Sequence, residues 1–123
     1  MPESMKVTVD RREGIAVIYT DGYINDQGGE EIARVAYELI EEGYGSLLVN
    51  LEKTKLVTSV GISILFEIID RMLEIEGNLS FCNLTPTIDK TFHLIDVSQY
   101  TSIYPDEASA LDQVEPPSPP TEC

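Results

Sequence analysis

The chain is poor in bases, thiols and histidine. Eight Lys and Arg stand against 22 Asp and Glu, a net charge of −14. A field of that sign repels phosphate backbones and anionic lipid, which argues against nucleic acid and against a membrane surface as partners. It suits a partner with a basic surface, and it serves equally to keep the protein in solution. Cysteine occurs twice, as Cys82 inside an apolar run and as Cys123 at the last position. Cys82 is expected to be a buried thiol. One buried and one terminal thiol build no disulfide framework, so a reducing, cytoplasmic compartment is expected. The sequons at Asn78 and Asn83 are then chance matches. No apolar run approaches the roughly 18 residues that cross a bilayer. The opening MPESMKVTVD has no signal-peptide core.

Signatures of catalysis are missing too. His93 is the single histidine, and nothing marks it as more than a surface or half-buried helical residue. No Cys or His pair has metal-ligand spacing. No glycine-rich loop ends in Gly-Lys-Ser or Gly-Lys-Thr. Asp21, Asn25 and Asp26 match no calcium-loop spacing and suit a turn. The expectation is a protein without enzymatic activity, metal or cofactor. A phosphorylated receiver domain is also small, acidic and α/β. It needs an acceptor Asp at the end of a central strand, where this chain has Asn50, which cannot form an acyl phosphate.

What is present is the pattern of one globular α/β domain: 123 residues, 42% of them hydrophobic. Residues 5–9 alternate and IAVIY, 15–19, is β-branched, so the two predict an antiparallel hairpin across a short turn. A loop rich in Asp, Asn and Gly is expected over 20–29. Ile32, Val35, Ala36, Leu39 and Ile40 share one face of a helix over 30–42, stopped by Gly43 and Gly45. SLLVNL, 46–51, reads as a doubly buried parallel strand, followed by a charged turn at 52–55 and the short apolar step Leu56-Val57. A long helix follows over 59–75, a strand over 79–82, a helix over 88–95, a short strand over 102–104 and a helix over 106–114. The order predicts a mixed sheet of four or five strands with about four helices. The domain is expected over 1–114, with a proline-rich, disordered tail over 115–123, EPPSPPTEC.

Two hydroxyls mark one junction. In LVTSVGISIL, 56–65, Thr58 and Ser59 separate an apolar strand end from an apolar helix start. Either side chain can cap the helix by accepting a bond from a free N–H of its first turn. The same N–H groups favour an added phosphate. A cap and a modification site are both open. The helix itself carries two apolar stripes. Ile62, Leu65, Phe66, Ile69, Met72 and Leu73 suffice for a core, whereas Ile64, Ile68 and Ile75 lie apart from them. That second stripe is either buried on another side or forms a patch for a partner or a second copy.

The stretch NLEKTKLVTSVGISIL, 50–65, resembles the anti-sigma factor antagonists, the small single-domain members of the STAS family. Their signature is a strand ending Asp-Leu, a turn, an apolar step, then Asp-Ser-Ser-Gly opening a helix. The first strand pair, the turn Gly22-Tyr23-Ile24-Asn25 and the later strand–helix pairs correspond as well, over about residues 5–112. Gly61 is kept. Thr58 and Val60 replace the residues that flank the serine, and Asn25 and Asn50 stand where Asp is usual. The resemblance implies a protein that binds an anti-sigma factor, often a serine kinase, and so frees a sigma factor. The kinase phosphorylates a serine at the start of the second helix, breaking the complex, and a phosphatase reverses this. The matching acceptor is Ser59, with Thr58 beside it. The implied partner surface comprises Tyr23, Asn25, Asp26, Gln27, Val60, Gly61, Ile64 and Ile68. Related STAS proteins also serve as accessory subunits of membrane transport complexes, and some bind nucleotides, for which no pocket motif is visible.

Overall fold

A computed structural model describes residues 5–113. Cys123 and the proline-rich segment lie outside the described residues. The hairpin forms as expected from β1 (Lys6–Arg12) and β2 (Ile15–Ile24), antiparallel across the turn at Gly14. From β2 onward every connection is a crossover through a helix. α1 (Asp26–Glu41) leads to β3 (Ser46–Val57), α2 (Ser59–Glu74) to β4 (Asn78–Cys82), and α3 (Pro86–Leu94) to β5 (Ser102–Tyr104) by way of a 3₁₀ turn at Val97–Gln99. A short α4 (Glu107–Gln113) closes the described chain. The sheet has five strands in the order β1-β2-β3-β4-β5, with β2 through β5 parallel.

Strand alternation divides the core in two. Ala16, Ile18, Leu47, Val49, Leu79 and Phe81 point to the face covered by α1, α2 and α3, and belong to the main apolar cluster. Ile15, Val17, Leu48 and Cys82 point the other way and meet Ala110 of α4. Each fully buried Leu, Ile or Phe contributes about 1.5–3 kcal/mol, so the three-helix face carries most of the stabilisation.

Two expected loops are strand instead. β2 and β3 continue together beyond the sheet to the pair Ile24↔Val57, with irregularities between Tyr19 and Asp21 and between Gly22 and Tyr23. The charged run 52–55 is therefore one side of a ribbon. Glu52, Lys53 and Lys55 are exposed, while Thr54 is 1% exposed and bonds its hydroxyl to that of Thr20. Charge pattern alone read this run as a turn, because the inward residue is a threonine and not an aliphatic one.

The first helix also begins earlier than expected. Asn25 caps it by accepting from the Gly28 N–H at 2.8 Å. Gly28 and Gly29 lie inside the helix because the backbone must pass close to its neighbours. A Cβ at Gly28 would overlap the Tyr23 carbonyl oxygen, and one at Gly29 would lie 2.9 Å from Ile64 Cδ1. Glycines that resembled a loop are the contact surface between α1 and its surroundings.

Candidate functional site

The ribbon ends at one point with two helix starts. Immediately after the register pair Ile24↔Val57 come Asn25 and Thr58, the caps of α1 and α2. Thr58 is held to β2 by its backbone N–H, which donates to the Ile24 carbonyl at 2.9 Å. Its hydroxyl accepts from the Gly61 N–H at 3.1 Å and lies 3.4 Å from the same Ile24 carbonyl. Gly61 is buried against that carbonyl, and a Cβ there would overlap its oxygen. The start of α2 is thus clamped on β2 by Thr58 and by the absence of a side chain at Gly61.

Ser59 is the first residue of α2 and is exposed. Among the described residues its hydroxyl has no hydrogen-bond partner; only its carbonyl is engaged, by Ser63 Oγ at 3.2 Å. The two adjacent hydroxyls are therefore different. Thr58 is half-buried and occupied as the cap, and Ser59 faces solvent. The first turn of α2 contains no acidic residue, so the positive end of its dipole is not offset by a carboxylate of its own.

The surroundings of Ser59 are apolar for so acidic a molecule. Val60 is 53% and Leu56 42% exposed. Leu56 stands opposite half-buried Tyr23 across the ribbon. On the α1 side, Asp26 and Gln27 are exposed in the first turn, and Asn25 is half-buried with its side-chain oxygen in the cap. Leu56 was missed by sequence reasoning. It reads as an ordinary strand residue until the ribbon turns it outward.

Three α2 residues of the expected partner surface are partly or wholly covered. Ile68 is 1% exposed and part of the core. Ile64 is half-buried with its methyl group over Gly29 of α1. The second stripe of α2 therefore divides, with Ile64 against α1 and Ile68 in the core. Leu73, expected in the core, is instead 53% exposed, and Ile75 is 42% exposed. Gly61 is likewise buried, so its part at this site is to let α2 approach β2.

A second polar cluster lies on the opposite face of the sheet. Asn50 is 6% exposed in β3. Its side-chain oxygen accepts from the Glu52 N–H at 2.9 Å, and its Nδ2 donates to Glu107 at 3.0 Å and points to Asn83 Oδ1 at 3.4 Å. The Tyr19 hydroxyl donates to the other oxygen of Glu107 at 3.0 Å. Burial, then this bond to Glu107, pushes the Tyr19 phenol up to about 12. An Asp at position 50 would set a second carboxylate against Glu107, where two negative charges repel unless one takes up a proton. That gives the Asn50 departure a local cause. Burial, then nearby Glu107, also pushes the Cys82 thiol up to about 12. His93 is exposed on α3, with Nδ1 3.0 Å from the Asp89 carbonyl. Among the described residues no group of three or more His, Cys, Asp or Glu is placed to hold a metal ion. No helix there is long and apolar enough to cross a membrane.

The STAS domain family model matches residues 6–110. BtrV of Bordetella bronchiseptica, a candidate anti-sigma factor antagonist, is 22% identical over 101 residues, which are 82% of this chain and 84% of BtrV. The crystal structure of an anti-sigma factor antagonist from Mycobacterium paratuberculosis superposes with a TM-score of 0.80 at 20% identity, covering 90% of this chain and 94% of that one. The Bacillus cell fate determinant SpoIIAA in its phosphorylated form superposes with a TM-score of 0.70 at 19% identity, covering 89% of this chain and all of that one (100%). With the match running through every strand and into α4, the chain belongs to the STAS domain family.

Proposed function

We propose that this protein is an anti-sigma factor antagonist, a binding protein and not an enzyme. It docks on an anti-sigma factor with serine-kinase activity and is released when that kinase phosphorylates Ser59. The observation that carries the reading is the exposed hydroxyl of Ser59, unengaged among the described residues, at the first position of α2, bordered in sequence by exposed Val60 and Leu56. Family membership and the similarity to BtrV support the same assignment. Thr58 is the poorer acceptor, since its hydroxyl is spent on the cap and the Ile24 carbonyl.

The contact surface in this reading is the ribbon end and the two helix starts: Tyr23, Asn25, Asp26, Gln27, Leu56, Ser59 and Val60, with the exposed edge of Ile64. A phosphate on Ser59 adds about −1.5 to −2 charges and three acceptor oxygens in the middle of that surface. Any apolar partner surface seated over Val60 and Leu56 would then have to desolvate a dianion, and the complex dissociates. Hydrolysis of the phosphoserine by a phosphatase restores the docking surface.

The decisive experiment is incubation with the cognate kinase and ATP, followed by peptide mapping. One phosphate is expected, on Ser59. It is lost in Ser59→Ala and retained in a folded Thr58→Ala variant. A phosphate mapped to any other residue, or none with a kinase active on a control substrate, overturns the acceptor assignment.

A further inference from the structure

The sheet is unevenly covered. α1, α2 and α3 lie on one face, whereas among the described residues the other face carries α4 alone. Yet that second face is apolar at its centre, with Ile15, Val17, Leu48 and Cys82 all 3% exposed or less. Seven residues of α4 are described, Glu107–Gln113. Among the described residues of α4, Ala110 is the one fully buried side chain, with Leu111 half-buried beside it. Apolar burial of that size holds a helix weakly.

Polar contacts make up the difference, and they converge on one side chain. The Glu107 carboxylate accepts from Tyr19 of β2 and from Asn50 of β3, each at 3.0 Å, and lies 3.6 Å from the Arg12 guanidinium of β1. One residue of α4 thus ties it to three strands. The start of the helix has its own cap, the Asp106 carboxylate accepting from the Ser109 N–H at 2.7 Å. That bond keeps α4 helical but does not hold it on the sheet.

We infer that α4 is a latched cover. It opens as a unit, with Glu107 as the latch, and uncovers Ile15, Val17, Leu48 and Cys82 while the three-helix face stays folded. This device is independent of the switch at Ser59, which lies at the start of a helix on the opposite face. It gives the domain a second state in which one side of the sheet is bare.

Cys82 reports the opening directly, since a thiol reagent reaches it only when α4 leaves. The full-length chain carrying Cys123→Ser is labelled with an aromatic disulfide reagent, and amide exchange of β3 is followed in parallel. Glu107→Ala is expected to speed Cys82 labelling by about 10- to 100-fold, the range for losing charge-assisted hydrogen bonds. Tyr19→Phe, which deletes one contact, is expected to give a smaller increase. Protection of the β3 amides is expected to be unchanged in both, and labelling of the parent is expected to depend on urea less steeply than β3 exchange. Equal labelling rates in parent and variants overturn the latch. So does parent labelling that tracks β3 exchange across urea, because Cys82 would then be reached only by global unfolding. That last measurement stands even if Glu107→Ala fails to fold.

Discussion

Thr58 and Ser59 are adjacent hydroxyls with separate work. The Thr58 oxygen satisfies a first-turn N–H of α2 and approaches the Ile24 carbonyl, so its loss exposes α2 to fraying. The Ser59 oxygen satisfies nothing among the described residues. In urea unfolding, Thr58→Ala is expected to lower stability by about 0.5–2 kcal/mol, whereas Ser59→Ala is expected to stay within about 0.5 kcal/mol of the parent. Ser59→Asp is expected to raise stability by about 0.3–1 kcal/mol at low salt, because it places a negative charge at a helix start that has none. The same variant is expected to bind the partner more weakly. Loss of binding would then reflect the contact surface and not the fold. A destabilised Ser59→Asp protein would remove that distinction.

At the scale of the element, α2 serves three sides at once. Its inward stripe and Ile68 enter the core, Ile64 meets α1, and its first turn faces outward at Val60. Both apolar stripes were visible in the sequence, but their destinations were not. Periodicity reports that a face is apolar, and it cannot say whether another helix or solvent lies opposite. The deciding feature for Ile64 is Gly29, whose missing side chain lets Ile64 sit against the α1 backbone. Ile68→Ala is accordingly expected to cost about 2–5 kcal/mol as a core truncation, against at most about 0.5 kcal/mol for Val60→Ala at the surface. Chemical denaturation of the two variants tests this. A near-neutral Ile68→Ala would mean that this side chain is not part of the cooperative core.

For the whole molecule, the net charge of −14 and the small apolar island around Ser59 have different roles. In the proposed function the island sets what fits, and the charge sets how quickly a basic partner arrives. Three arginines add little to the outward field, since Arg11, Arg12 and Arg34 are each paired with carboxylates. The association rate with the proposed anti-sigma factor partner, measured by stopped flow, is expected to fall at least about tenfold between roughly 0.01 and 0.5 M salt, as the screening length contracts from about 30 Å to a few ångströms. A rate independent of salt would show that the acidity serves solubility alone.

The sequence alone determined the element order, the class of fold and the junction at 58–61. Each of these rests on local signals: alternation in IAVIY, a 3.6-residue period in α1 and α2, and hydroxyls followed by glycine at a helix start. Only the tertiary structure decided which of Thr58 and Ser59 is free, since that depends on a carbonyl 34 residues away in sequence. It also turned the charged run 52–55 into a ribbon, through a buried pairing of Thr54 with Thr20, and it gave Asn50 a reason in Glu107 of a distant helix. Local pattern records what each residue prefers. Which surface stays bare is settled by what packs across from it, and those partners are brought together only when the sheet has formed.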